Sequence, residues 1–581
     1  MFPSSRICRH QELHLPDECW ELVFKHLSDP LDHESLSLVS RHFLSLTNGI
    51  HTDLAVSDRV LPLIPVLLRR FPNLTTIKIT RYFTGDINAL LSQIASFNLP
   101  SLHSLDLSHQ PTFPSHGLRQ FSQKFSALKS LNCSHTRHDL DLIAECFPNL
   151  EEIDVSFRKY KIDIVSDWEK ALTSGLKKLR KVTISGNFTH GDSYLLALCH
   201  TCVFLEELVV IQTGPVSMIG IANAIRKRPE LRSLSVNCLT YGFFSEDLRK
   251  GNVTLEFIDA LVSLKGLNCL DLSYSSISDE ALCVLAEEGL PLRKLSLRCC
   301  KGYGYGGISY LLRKCNNLQY LDLQITQFLN DQWVVELSLL LGNLRFVKLS
   351  DNAKLTDLSL FAIMRNCPLI TDIRMESTGI GKQKLQEDCL VVNSHVKFLY
   401  LASNTWLDDE TVTMLAAVCP NLEMIDLSKC GRVSKGAIDV LWSCRKIRRM
   451  DLALLGHELF QFRFRVCFDV PTLFVLNLSQ LSISNEELSL ISKSCCKLKE
   501  LDLESCHKIT TRGVKQMVKN CKQLRTISLA ACEKVSANVV AWMVSARPSL
   551  RKIRPPPRFS ATESQRDLFR RHGCFVGKWS N

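Results

Sequence analysis

What most constrains this chain is a spacing. The pattern Leu-x-x-Leu-x-Leu, with Ile, Val, Met or Cys allowed at its apolar places, first begins at Leu74 and last at Leu550. From Leu267 it restarts at Leu292, Leu318, Leu344, Ile370, Val396, Leu422, Ile447, Leu473, Leu498, Leu524 and Leu550, every 25 or 26 residues. A length of 581 residues would otherwise suggest roughly three or four domains, but a fixed period overrides that expectation. Within one unit, Leu422, Ile425 and Leu427 alternate as a short strand with one apolar side requires. The following Lys435 to Cys444 repeats its apolar residues at helical spacing, so that helix can cover the strand. One unit alone leaves its apolar face half exposed, and stacking neighbours completes a core. The predicted class is α/β, a right-handed solenoid of parallel strands and helices shaped as a horseshoe or superhelix, with about 18–20 repeats over residues 49–554.

Composition supports a globular chain, with 45% hydrophobic and 22% charged residues. No uninterrupted apolar run reaches the roughly 18 residues of a membrane span, and Met1 to His14 lacks the roughly 7-residue apolar core of a secretory leader. The expectation is an intracellular protein, nuclear or cytoplasmic, with no membrane or nucleic-acid partner. Residues 1–14 are expected to be a flexible N-terminus. The net charge of +11 is uneven, because eight Lys/Arg against two acids lie between Arg551 and Asn581. Residues 555–581 therefore read as a basic C-terminal tail. The 24 cysteines are spread through a long chain, where thiols inside a cell stay reduced. Cys202, Cys315, Cys367, Cys419, Cys444, Cys495 and Cys521 each lie three places before a repeat's first apolar residue, and Phe71, Phe125 and Phe147 take that place elsewhere. A slot that accepts either Cys or Phe is a packing slot.

Residues 15–48 carry a different pattern. Leu15-Pro16-Asp17-Glu18 opens a helix whose Cys19, Leu22, Val23 and Leu27 share a face, while Phe24 points elsewhere. Ser28-Asp29-Pro30 breaks it, and Leu36, Val39 and Phe43 form a second stripe. The helix pair would at least seal the first repeat.

The repeats, with Cys430-Gly-Arg-Val433, Cys506-His-Lys-Ile509 and Cys532-Glu-Lys-Val535 after their strands, resemble the cysteine-containing class of leucine-rich repeats over about 500 residues. The N-terminal order resembles an F-box: Leu15-Pro16-x-Glu18, then Val23-Phe24 and Leu27, then Val39-Ser40-Arg41 with an aromatic residue following. It departs at Cys19-Trp20, where two leucines are common, and at Phe43, where Trp is common, although both changes keep apolar volume. The resemblance, which extends to plant F-box/leucine-rich-repeat proteins, implies a substrate receptor of an SCF-type ubiquitin ligase. Its helices would dock on a Skp-family adaptor, and through it on a cullin scaffold, by Leu15, Pro16, Leu22, Val23, Phe24, Leu27, Leu36 and Val39. Its repeats would bind an unknown protein marked for ubiquitylation.

Catalytic chemistry is not expected of the chain itself. Cys199-His-Thr-Cys202 has no second ligand pair nearby to hold zinc. Gly302-Tyr-Gly304-Tyr-Gly306-Gly307 contains Gly-x-Gly-x-x-Gly, but it sits inside a regular repeat and reads as a strand-to-helix loop. No nucleophile-elbow, zinc-protease or phosphate-loop motif occurs. No cofactor or metal is implied.

Target recognition is assigned to strand residues facing away from the helices, two, four and six places after the first apolar residue. The four-place row holds Asp106, Asp154, Asp271, Asp322, Asp426, Asp451 and Asp502, which would either attract a basic target or serve the repeat itself. The two-place row holds Tyr320, Phe346, Phe398 and Met424, with Lys348, Arg374 and Tyr400 beside it. Aromatic residues and Arg are the usual anchors of interfaces, so this is the predicted target-binding patch. Two irregular segments are further candidates, Leu239 to Phe244 and Phe460 to Arg465. The competing readings are a co-receptor for a hormone-like small molecule, a repeat scaffold without ubiquitin chemistry, and an enzyme.

Overall fold

The computed structural model describes residues 15–27, 30–58, 60–81, 83–136, 139–156, 171, 175–185, 191–211, 216–237, 253–383, 391–442, 444–455 and 472–577. Residues 1–14 and both irregular segments, Leu239 to Phe244 and Phe460 to Arg465, lie outside them. The chain divides into two compact units, one of Met1–Lys250 with Asp259–Gly266 and one of Gly251–Ile258 with Leu267–Asn581.

The first unit begins with three helices where the sequence suggested two: α1 Asp17–Lys25, α2 Pro30–Ser37 and α3 Arg41–Ile50. The expected second stripe is divided, because Ser40 is extended and its hydroxyl accepts the Phe43 N–H at 3.0 Å, starting a new helix. Leu36 therefore belongs to α2, Val39 to the turn and Phe43 to α3. Pro30 opens α2, where its missing N–H costs nothing. From Asp53–Val56 to Ser233–Asn237 the unit then carries eight short strands among the described residues, each pairing in parallel with the next.

The second unit carries thirteen described strands, from Cys269–Asp271 to Phe575–Val576, again parallel and paired in chain order. Helices alternate with the strands and successive helices pack together. Each unit is thus an open leucine-rich-repeat solenoid. The stretch after Pro555 is not a bare tail. Helix Glu563–Arg571 is capped at both Thr562 and Gln565, and Phe575 pairs with Lys552, so a last amphipathic turn covers the final sheet edge. Among the described residues no helix is long and apolar enough to cross a membrane.

Two devices make the repeat. The Asp row is the first: Asp106, Asp154, Asp271, Asp322, Asp426, Asp451 and Asp502 each accept the backbone N–H two residues on, at 2.9–3.1 Å. Asn132 and Asn477 do the same. These Asx turns end the strand and lead into a left-handed residue, such as Tyr274 (φ 66°), Ile325 (56°) or Lys429 (62°). That conformation costs about 1–2 kcal/mol for an L-residue. It persists because the left-handed N–H extends the ladder to the next repeat, Tyr274 to Arg298 O at 2.8 Å and Lys429 to Ala453 O at 2.8 Å. The serial Asp residues are accordingly part of the repeat's backbone chemistry.

The second device clasps neighbouring helices. A first-turn Asp or Asn of one helix accepts the N–H that opens the next: Asp279 from Gly304 at 2.8 Å, Asp331 from Thr356 at 2.8 Å and Asn485 from Thr510 at 3.0 Å. Carboxylates are favoured there by the positive end of the helix. The space they occupy explains several glycines. A Cβ on Gly307 would meet the Asp279 Cα at 2.8 Å, whereas one on Gly431 would meet nothing within 4 Å. Gly307→Ala is therefore expected to destabilise the chain by about 1–3 kcal/mol in urea unfolding, while Gly431→Ala leaves it within about 0.5 kcal/mol. A stable Gly307→Ala would remove the clasp as the reason for that glycine.

Cores are filled by the motif residues and by thiols. Burial pushes Cys202, Cys367, Cys419 and Cys521 up to about 12, the packing slot taking the form least disposed to react. Of the described cysteines only Cys19 and Cys496 are fully exposed. A thiol reagent added to the native protein should label these two rapidly and the packing-slot cysteines only on unfolding, as peptide mapping would show. The alternation of the strands has its own test. Ile425 is wholly buried, so Ile425→Ala should cost about 2–5 kcal/mol. Asp426→Ala, which loses the bond from Ser428 N–H, should cost about 1 kcal/mol. Equal losses in urea unfolding would show the alternation to be misassigned.

Candidate functional site

The three-helix module sorts its apolar residues into two sets. Trp20, Phe24 and Phe43 form an aromatic core, with ring centroids 5.0 Å apart for Trp20–Phe43 and 5.2 Å for Phe24–Phe43. Phe24 is 1% exposed, so this member of the predicted docking set serves folding instead. Its backbone carbonyl also faces the His33 Nε2 at 2.7 Å, tying α1 to α2. Leu15, Leu22, Val23 and Val39 are exposed, Leu22 by 58% and Val23 by 49%. Pro16 is exposed as well, and Leu27 and Leu36 are half-buried. Leu38, which the sequence reading missed, is the most exposed of the module's large apolar residues at 78%. Its signal was present in the adjacent Leu38-Val39, two aliphatic residues just before a helix cap. Aliphatic side chains left outside a filled aromatic core are a surface awaiting a partner.

The second surface is the sheet face away from the helices, in the second unit. Strands Tyr320–Asp322 and Phe346–Lys348 are neighbours in register, and the Tyr320 and Phe346 rings stack at 4.9 Å and 10°. Lys348 Nζ lies 5.8 Å and 5.6 Å from these two ring centres. The Arg374 guanidinium lies 5.3 Å from the Phe346 ring and 4.1 Å from the Tyr400 ring. Five predicted residues, Tyr320, Phe346, Lys348, Arg374 and Tyr400, thus meet in one layer of rings and cations. Lys294 joins it, 4.8 Å from the Tyr320 ring. Its place two residues after a motif start was the available signal.

The two-place row is not continuous. Asp372 stands between Phe346 and Phe398. Met424 pairs with Phe398 but is buried, so it is a supporting residue and not an anchor. The cations also have intramolecular counter-charges. Lys348 is 4.0 Å from the Asp322 carboxylate, and Arg374 Nε is 3.6 Å from Asp372 Oδ1, an ion pair beyond hydrogen-bond reach. Burial raises the pKa values of Asp322 and Asp372 despite these partners. The patch is therefore distinguished by its ring faces more than by net charge.

The other motifs take structural roles. Gly304 and Gly307 in the glycine-rich loop donate their N–H groups to Asp279, at 2.8 and 3.1 Å, so a carboxylate fills the place an anion would need. Cys199 is buried, and the Cys202 thiol donates to Leu176 O at 3.3 Å.

Comparison with known proteins agrees with this architecture. Residues 494–518 match the leucine-rich-repeat family model. F-box/LRR-repeat protein 4 of Bos taurus is 25% identical over 28% of this chain and 28% of its own length. GRR1-like protein 1 of Arabidopsis thaliana is 22% identical over 48% of this chain and 54% of its own. The chain thus spans about half or less of the length of these relatives. Among solved structures, the Rad7 and Elc1 complex of yeast aligns over 72% of this chain and 90% of that chain, with 20% identity and a TM-score of 0.40. In helical module, repeats and curated matches alike, the chain is similar to F-box/leucine-rich-repeat proteins. The buried cysteines of the packing slot resemble those of the cysteine-containing kind of repeat.

Proposed function

We propose that this chain is a substrate-recognition subunit of a cullin-type ubiquitin ligase. Its N-terminal helices dock on a Skp-family adaptor, and the open face of its repeats holds the protein to be ubiquitylated. The observation that carries this reading is the division of the N-terminal module: a closed aromatic core beside unpartnered Leu22, Val23, Leu38 and Val39. A helical cap made only to seal the first repeat would turn its aliphatic residues toward that repeat. Aromatic side chains bearing cations on the sheet face supply rigid anchors for a protein target. In this arrangement the chain positions the target and its partners transfer ubiquitin, in the nucleus or cytoplasm. Affinity purification of the tagged chain from cells, with and without a proteasome inhibitor, tests it. Adaptor and cullin should co-purify in both conditions, and the target should accumulate only with inhibitor. Absence of the adaptor from both would overturn the proposal and favour a scaffold.

A further inference from the structure

A cavity of about 340 Å³ opens on the sheet face of the second unit, formed by strands Met424–Asp426, Arg449–Asp451, Val475–Asn477, Glu500–Asp502 and Thr526–Ser528. The registers explain it. Along the two-place row Arg449 is followed by Val475, Glu500 and Thr526, so short side chains leave a hollow between long ones. Along the four-place row Asp451 is followed by Asn477, Asp502 and Ser528. Neighbouring strands are about 4.8 Å apart, which places the Asp451 and Asp502 carboxylates on opposite sides of a gap roughly two strands wide. Glu500 stands on the same strand and face as Asp502.

The balance of charge inside the hollow is negative. Asp451, Glu500 and Asp502 are half-buried, and among the described residues none of them forms an ion pair, while Arg449 is exposed at the rim. Each Asp spends one oxygen on its Asx turn, and Asn477 Nδ2 donates to the second Asp451 oxygen at 3.0 Å. Capacity remains on Asp502 and Glu500. Burial raises the Asp451 pKa, with Asp426 on the adjoining strand adding to the rise, as expected of a carboxylate lacking a cation.

A second observation is independent of the acids. Ser528, one of the residues lining the hollow, is 4% exposed, and its buried Oγ has no hydrogen-bond partner. A buried hydroxyl left unsatisfied is unfavourable by itself, and a polar group that arrives later would satisfy it. The neighbouring Arg554 is already held by Glu504, and among the described residues no other group is hydrogen-bonded to the Ser528 Oγ. Val475, on the same face between Arg449 and Glu500, gives the hollow an apolar wall along which a methylene stem can lie.

From these features we infer that the cavity is a subsite for one long cationic side chain, an arginine or lysine presented by a bound polypeptide. The stem lies against Val475, the charged head reaches Asp502 and Glu500, and the Ser528 hydroxyl accepts one of its N–H groups. The volume is at the lower end of small-molecule sites and fits a single side chain. It adjoins the ring-and-cation layer through Met424, which pairs with Phe398 on one side and Arg449 on the other. That the cation belongs to a protein to be ubiquitylated rests on the receptor reading, whereas the chemistry of the cavity does not.

The test uses the full chain and two small probes, N-acetyl-arginine amide and its uncharged isostere N-acetyl-citrulline amide, in saturation-transfer NMR titrations. The arginine probe should bind, and citrulline should bind about tenfold more weakly or worse, the change expected for loss of one charge-assisted contact. The double variant Asp451→Asn, Asp502→Asn should weaken the arginine probe by a similar factor without unfolding. Asn already makes the same turn at Asn132 and Asn477. Ser528→Ala should weaken the probe yet raise the melting temperature, because an unsatisfied hydroxyl is removed. A residue that only packs the fold would not move the two readouts in opposite senses. Equal affinity for the two probes, unchanged affinity in the Asn variant, or no saturation transfer to the arginine probe up to roughly 10 mM would each overturn the subsite. The outcome is separable from adaptor docking: arginine binding by a chain that fails to co-purify the adaptor would keep the subsite and discard the receptor.

Discussion

Val23→Asp should abolish co-purification of the Skp-family adaptor while the chain stays folded. Val23 lies on α1, half exposed, so an aspartate there is solvated in the free protein and the module keeps its aromatic core. Closing a partner over it would bury a carboxylate without a counter-ion, at a cost of several kcal/mol. A micromolar contact is worth about 8 kcal/mol in total, so little affinity would remain. Leu15→Ala with Pro16→Ala should act in the same direction more weakly. Phe24→Ser is the instructive contrast, since removing a ring packed on Trp20 and Phe43 should loosen the module itself. Undiminished co-purification of a folded Val23→Asp chain would show that the docking surface is elsewhere.

The double substitution Phe346→Ser, Phe398→Ser should leave folding and adaptor binding intact and stop turnover of the principal target. Both side chains are only half-buried on the face away from the helices, and the residues holding the strands, Val347 and Leu399, are untouched. Interface anchors of this type are worth about 2 kcal/mol or more each, so the pair should lower affinity by roughly a thousandfold. Phe346 carries the larger share, because it supports both the Tyr320 ring and the Arg374 guanidinium, whereas Phe398 is parted from it by Asp372. Proteome-wide turnover in cells expressing the double variant is the measurement. Unchanged levels of every target, with the variant folded and adaptor-bound, would remove the patch from target recognition.

Much of the fold was legible because leucines at a constant interval leave a chain few ways to bury them. Ile425 and Leu427 report strand and core at once. What was misread depends on contacts between units or on a single cap. Ser40 divides two helices by one hydrogen bond that no periodicity records. Phe24 was assigned to docking from its place in a motif, although burial depended on where Phe43 would return. The residues after Pro555 were read by their charge, which concealed the apolar side of Glu563–Arg571 and its buried Phe569. At the candidate site, Tyr320 and Phe346 were found because neighbouring repeats place equivalent residues side by side. Their counter-charges at Asp322 and Asp372 were discounted, and with them the near-neutral character of the patch. Ser528 could not have been noticed, since an unsatisfied hydroxyl exists only in three dimensions.

The carboxylate clasp between helices gives the protein interchangeable joints. The same half-joint recurs, an Asp279, Asp331 or Asn485 on one side and an opening amide on the other. If one whole unit were duplicated or lost, the ends brought together would still offer matching chemistry. Growth of the array would then require no newly invented interface, and the array's reach could change by whole units. Side chains such as Tyr320, Val475 and Thr526 take no part in these joints, so the reading surface could diversify under selection for new targets while the assembly beneath it stayed fixed.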